Sequence, residues 1–152
     1  METELNYRIF AKKYKLPNYK ELNFEFEISS IEDSDFLLRD IRKKIIEKIE
    51  SFIKLFEDII HPETSLSSMY ECKILDDKTK DEIIKLYKEL MLLKRKSDLI
   101  SINNNEKELA DFINYSFEKW KSIKPKLLKI LNLLLLAWKK DIDVKEDLFY
   151  LG

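Results

Sequence analysis

The chain has 152 residues, of which 38% are charged and 45% hydrophobic, a formal net charge of −1, one cysteine and one glycine at position 152. Loops that cradle phosphate need glycines where backbone meets ligand, so Walker and dinucleotide-binding fingerprints are excluded. One cysteine makes no internal disulfide and gives no sign of an oxidising compartment, and the composition is that of a helix-rich globular domain large enough to bury its own core.

The opening METELNYRIF lacks the charged-then-apolar build of a signal peptide, and the longest uncharged run, Ile130 to Trp138, is too short to span a bilayer. The expectation is a soluble, cytoplasmic protein with no membrane contact. Over residues 3 to 15, Leu5, Ile9, Phe10 and Tyr14 recur at helical spacing and predict a short amphipathic helix ending before Pro17. From Leu22 to Ile28 apolar and polar residues alternate, the pattern of a half-buried strand or of an extended arm lying across helices. With Glu21, Glu25, Glu27, Glu32, Asp33 and Asp35 this arm is acidic; it either folds over the C-terminal helix of its own chain, with Phe24 and Phe26 supplying most of the attachment, or reaches a neighbouring chain.

Residues 35 to 60 predict the clearest helix, with Leu38, Ile41, Ile45, Ile49, Phe52, Phe56 and Ile59 facing a core and Pro62 forcing a stop. The connection 61 to 78 is long, and Leu66, Met69, Tyr70 and Ile74 suit a short helix within it. Thr79 with Glu82 reads as a capping box opening a helix from about 80 to 100, with Ile83, Leu86, Tyr87, Leu90, Met91 and Leu93 inside. Asn103 to Asn105 break it, and Asn105 with Glu108 offers the next N-cap.

From residue 105 to 140, Pro125 either kinks one long helix or starts a new one after a hairpin at Ser122 to Lys124. With no glycine there for a left-handed cap, the long helix is favoured. Its second half, Ile123 to Lys140, is apolar on most of its circumference, leaving Lys126, Lys129, Asn132 and Lys139 as the polar stripe. Such a helix belongs in a core or in a docking interface. The expected fold is therefore all-α, a three to four helix bundle with a short N-terminal helix and an extended acidic arm. It forms a single helical domain over 1-152, with helix and arm at 1-34, the bundle at 35-140 and a tail at 141-152.

Catalytic chemistry finds little purchase. His61 and Cys72 are the only histidine and cysteine, too few for a zinc or di-iron site, and as a nucleophile pair they share one connection. Glu57, Asp58, His61 and Glu63 are near enough in sequence to gather round a metal, but a solvated histidine near a helix C-terminus is the simpler reading. Ser65, Ser67 and Ser68 have no nucleophile-elbow context. The expectation is a non-enzyme with no cofactor and no metal.

The charge pattern is polarised: six acids and no base between Glu21 and Leu38, seven lysines and no acid between Lys119 and Lys140. The leading functional expectation is a non-catalytic helical subunit or adaptor, an accessory component of a larger complex. It would dock to itself or to another protein through Leu127, Leu128, Leu131, Leu134, Leu135 and Trp138. The alternative is a sequence-nonspecific nucleic-acid-associated subunit of a replication or ribonucleoprotein assembly, with phosphates held by Lys94, Arg95, Lys96, Lys119, Lys121, Lys124, Lys126 and Lys129.

Overall fold

A computed structural model describes residues 2–32, 34–63 and 65–140, and within them every regular element is helical. In chain order these are α1 (Glu2–Tyr14), α2 (Tyr19–Phe26), a 3-10 turn (Ile28–Ser30), α3 (Leu37–Ile60), α4 (Leu66–Ile74), α5 (Asp77–Asn103) and α6 (Glu106–Lys139). The described residues fall into two compact units. One is drawn from Met1–Glu50 and Met91–Lys121, the other from Ser51–Leu90 and Ser122–Gly152. The expected tail at 141–152 lies outside the described residues.

In the first unit, α1 buries only part of the stripe its apolar spacing predicts, with Phe10 and Tyr14 half-buried on the same face as Thr3 and Tyr7. Leu5 and Ile9 are exposed, whereas Tyr7 and Thr3 are buried. Both buried residues carry hydroxyls that find backbone acceptors: Tyr7 donates to the Pro17 carbonyl at 2.6 Å and Thr3 to the Ile31 carbonyl at 3.1 Å. A search for apolar periodicity passes over such residues, because their burial depends on partners supplied by the following segment.

That following segment is not an extended arm. Residues 19–26 form α2, opened by Asn18, whose side chain accepts the Lys20 N–H, and closed by Glu27 in the left-handed region. The side chain of Asn23 accepts the Ser29 N–H at 2.7 Å and fixes the exit into the 3-10 turn. Leu22 and Phe26 satisfy an alternating pattern and a helical one alike, since they are four residues apart. Phe24 separates the two readings: a strand would place it beside them, yet it is 76% exposed while Phe26 is 3% exposed.

α3 buries Leu38, Ile41, Ile45 and Ile49 in the first unit and Phe56 and Ile59 in the second, as its spacing predicts. α4 forms where the long connection was expected to hold a short helix. Ser65 opens it by accepting the Ser68 N–H. α5 begins earlier than expected, because the cap is Asp76 rather than Thr79: its carboxylate accepts the Thr79 N–H at 2.7 Å. Hydrogen bonds from the Thr79 side chain and backbone hold the Asp76 carboxyl below the usual carboxylate range. Asn105 caps α6 as expected, accepting the Glu108 N–H at 3.1 Å.

Lys15, Glu27 and Asn104 have φ of 53°, 55° and 51°, so the chain turns through the left-handed region without glycine. Lack of glycine is therefore not what keeps α6 continuous through Pro125. Pro125 and Lys121 are both exposed on the helix, so the Lys121 carbonyl that loses its helical donor stands on the solvent side. Buried Ile123 and Leu127 on either side of the proline hold the helix to its core.

Candidate docking surface

In the second unit, residues 122–140 of α6 place most of their apolar side chains on two adjoining faces, with half-buried Leu133 and 55% exposed Leu136 outside both. Leu127, Ile130, Leu134 and Ala137 are 2%, 1%, 5% and 4% exposed and belong to the buried core, as do Ile53, Phe56, Ile83, Leu86 and Leu90 of the same unit. Leu128, Leu135 and Trp138 are 52%, 53% and 39% exposed, and Leu131 between them is half-buried. These four recur at steps of three, four and three residues, the spacing of one edge of a two-helix seam. At 100° per residue the buried set and the exposed set each cover about 80° of helix, side by side, and the exposed seam runs about 15 Å.

The six residues expected to dock are thus split by the fold. Leu127 and Leu134 belong to the core of the unit; Leu128, Leu131, Leu135 and Trp138 make the outward seam. The apolar composition of the stretch is common to both sets, and only the packing of α6 against its neighbours separates them.

One end of the seam is anchored. The Trp138 ring lies 4.5 Å from that of Tyr70 on α4, its indole N–H donates to Glu71 at 3.1 Å, and the Tyr70 hydroxyl donates to the Ala137 carbonyl at 2.8 Å. These contacts hold the tryptophan in one orientation with a face in solvent. A pre-set aromatic of this kind loses little freedom when a partner covers it.

Seven of the eight basic residues expected to hold phosphates meet a carboxylate or an aromatic ring. In the second unit, Lys126 pairs with Glu89 at 3.7 Å and Lys129 with Glu82 at 3.5 Å, across a groove of about 250 Å³ that also holds Lys85 and Leu86. Lys124 is half-buried. In the first unit, Lys94 pairs with Glu50 at 3.9 Å, Arg95 with Asp98 at 2.9 Å and Lys121 with Glu118 at 3.2 Å. Lys96 and Lys119 stand over the Tyr115 ring at 3.7 and 5.8 Å from its centroid. Interleaved carboxylates and cations leave a mixed face, and exposed pairs of this kind are worth about 0 to 1 kcal/mol each.

The acidic segment meets α6 through Phe26, one of the two phenylalanines expected to attach it. Within the first unit, Phe26 packs on Trp120 with ring centroids 5.8 Å apart, and the Trp120 indole N–H donates to Glu25 at 2.7 Å. Lys48 donates to the Glu25 carbonyl and stands 5.3 Å from the centre of the Trp120 ring. An aromatic contact and a hydrogen bond contribute to this attachment.

Sequence reasoning passed over a second apolar patch in the first unit. On α5, Leu92, Leu99 and Ile102 are 62%, 74% and 77% exposed. The signal is the doublets Leu92-Leu93 and Leu99-Ile100, since only one member of each can face a core and Leu93 and Ile100 do. Arg95, paired to Asp98, interrupts this patch, whereas the α6 seam is unbroken and contains a tryptophan.

Among the described residues no three or more His, Cys, Asp and Glu are grouped to hold a metal ion, and no helix is long and apolar enough to cross a membrane. His61 is exposed just past α3, and Cys72 is half-buried in α4. Comparison of the chain with protein-family models, curated proteins and solved structures finds no match.

Proposed function

We propose that the chain is a non-catalytic helical subunit or adaptor that docks a protein partner through the C-terminal half of α6. The observation that carries this reading is the exposure of Leu128, Leu135 and Trp138 at 52%, 53% and 39% on a helix whose adjoining face is core. A seam of leucines with an oriented tryptophan is what a partner helix laid into it would cover. Completing the burial of a half-exposed leucine is worth about 1 kcal/mol, and the whole seam about 4 to 5. That is no more than the lower range of what association costs, about 4 kcal/mol upward. The seam therefore supplies the anchor, and the partner's remaining affinity comes from residues flanking it.

The test is the double variant Leu128→Lys/Leu135→Lys. The expected result is a variant that stays folded, with a melting temperature lowered by about 4 to 8 °C, since each half-buried leucine contributes about 1 kcal/mol. Any complex the wild type forms, with itself or with an amphipathic helical peptide, is lost in light scattering. A variant that unfolds overturns the reading, because the two leucines would then be core. So does a variant that keeps every complex.

A further inference from the structure

Two apolar surfaces of this chain lie within reach of each other. One is the seam, where Leu128, Leu135 and Trp138 remain exposed. The other follows α6 directly in the sequence: residues 141–152 read DIDVKEDLFYLG, with four consecutive apolar residues from Leu148 to Leu151. A run of that kind is a liability unless something buries it. Val144, Leu148 and Leu151 recur at steps of four and three residues, a spacing that meshes with the three, four and three steps of the seam.

The length of chain suffices for contact. From Lys139 back to Leu128, α6 runs about 16 Å at 1.5 Å per residue. Residues 141–151 span up to about 36 Å when extended, and with about four of them used to reverse direction the rest still reaches about 23 Å. Charge does not choose the occupant, because the flanks of the seam carry both signs: Glu71 accepts from Trp138, Lys139 follows it, and Asp141 and Asp143 come next. Connectivity does choose. A second copy or a separate helix gives up translational and rotational freedom to reach the seam, and the burial on offer is no more than the lower range of that cost. A segment joined to the helix at Lys140 is already present at an effective concentration of about millimolar. Ordering the segment opposes closure, which keeps the closed state displaceable. We infer that residues 141–152 fold back over the seam of their own chain, with Val144, Leu148 and Leu151 against Leu128, Leu131 and Leu135, and that a partner helix binds by displacing them. The inference rests on the docking role proposed above and adds its regulation.

The test uses the full chain as wild type, as the tail variant Leu148→Ser/Leu151→Ser and as the seam variant Leu128→Lys/Leu135→Lys. A labelled helical peptide of about 21 residues, with leucines at three and four residue steps and balanced charges, is titrated by fluorescence anisotropy. Leucine methyl spectra of wild type and tail variant are compared at two protein concentrations about tenfold apart. The inference expects the tail variant to bind the peptide about tenfold tighter than wild type, since only the open state is competent, and the seam variant to bind none. It also expects the Leu128, Leu131 and Leu135 methyls to differ between wild type and tail variant, equally at both concentrations. Equal affinities, or seam methyls that do not move, overturn the inference and leave the docking role standing. Methyl differences that fade on dilution overturn it by making the tail of a second copy the occupant. Methyl differences without peptide binding to either form make the tail a fixed part of the fold, and overturn the docking role and displacement with it. No methyl difference and no peptide binding overturn both.

Discussion

Leu134 and Leu135 are adjacent in sequence, identical in chemistry and opposite in environment, so their alanine variants separate core from docking surface. Leu134 is 5% exposed and Leu135 is 53% exposed. Truncating leucine to alanine removes three carbons, a transfer cost of about 2.4 kcal/mol when the side chain is wholly buried. For Leu134→Ala nearly all of that is lost, and the cavity left in the core brings the cost to about 3 to 4 kcal/mol. For Leu135→Ala only the buried half counts, about 1 kcal/mol. Both changes make the same difference to helix propensity, so the gap between them, about 2 kcal/mol or more, reports environment alone. In a chain of this size each kcal/mol moves the melting temperature by about 2 to 4 °C. Leu134→Ala is therefore expected to melt at least about 4 °C below Leu135→Ala in circular dichroism at 222 nm. Equal losses, or a larger loss from Leu135→Ala, would refute the assignment of the two faces.

Three further predictions concern α6, α5 and α1. Trp120→Phe removes the indole donor to Glu25 and is expected to cost about 2 kcal/mol or more in urea unfolding, while Glu25→Gln, which keeps an acceptor, costs less than half as much; equal costs would show that the bond to Glu25 is not what matters. Asp76→Ala is expected to lower the melting temperature at pH 7. Because the Asp76 carboxyl titrates below the ordinary value of about 3.9, its contribution is present above that value and is lost as pH falls through the lower folded one, so the two melting curves converge in acid. Burial raises the Tyr7 hydroxyl pKa, so the unfolded chain ionises first, and Tyr7 stabilises the fold below about pH 10 and loses that contribution above it. Tyr7→Phe is expected to cost about 1 kcal/mol at neutral pH and to show a smaller alkaline loss of stability than wild type, as followed by fluorescence.

The long helices were legible because their signals are redundant. α3 repeats its apolar spacing over more than six turns, and a run of that length leaves no competing period. α2 was misread because a segment of eight residues gives Leu22 and Phe26 as its only internal evidence, and four is a multiple of two as well as close to one helical turn. α1 was placed correctly but only half of its inner face was read, since Phe10 and Tyr14 face inward while Leu5 and Ile9 do not, and the rest of that face is Thr3 and Tyr7, whose acceptors, the carbonyls of Ile31 and Pro17, are invisible to local pattern. The start of α5 was displaced because Asp76 and Thr79 both have capping side chains, and the choice between them depends on the path of the chain leaving α4.

The candidate docking surface was legible as a composition and illegible as a surface. Every residue of the seam was among those singled out from the leucine-rich stretch. Leu127 and Leu134 were singled out with them, because a helix apolar on most sides does not say which of its sides is covered. The lysines were legible as a cluster, but their carboxylate neighbours Glu82 and Glu89 come from a helix some forty residues earlier. Charge runs read along a sequence overstate the field of a surface when the compensating residues arrive from elsewhere in the chain.

The most direct measurement is a methyl NMR titration of leucine-labelled chain with an amphipathic helical peptide carrying leucines at three and four residue steps. The account predicts shifts confined to Leu128, Leu131 and Leu135 among the α6 methyls near the seam, with Leu127 and Leu134 unmoved and Leu92 and Leu99 of α5 silent. Shifts centred on Leu92 and Leu99, or no shifts at Leu128 and Leu135 while the peptide binds, would contradict it.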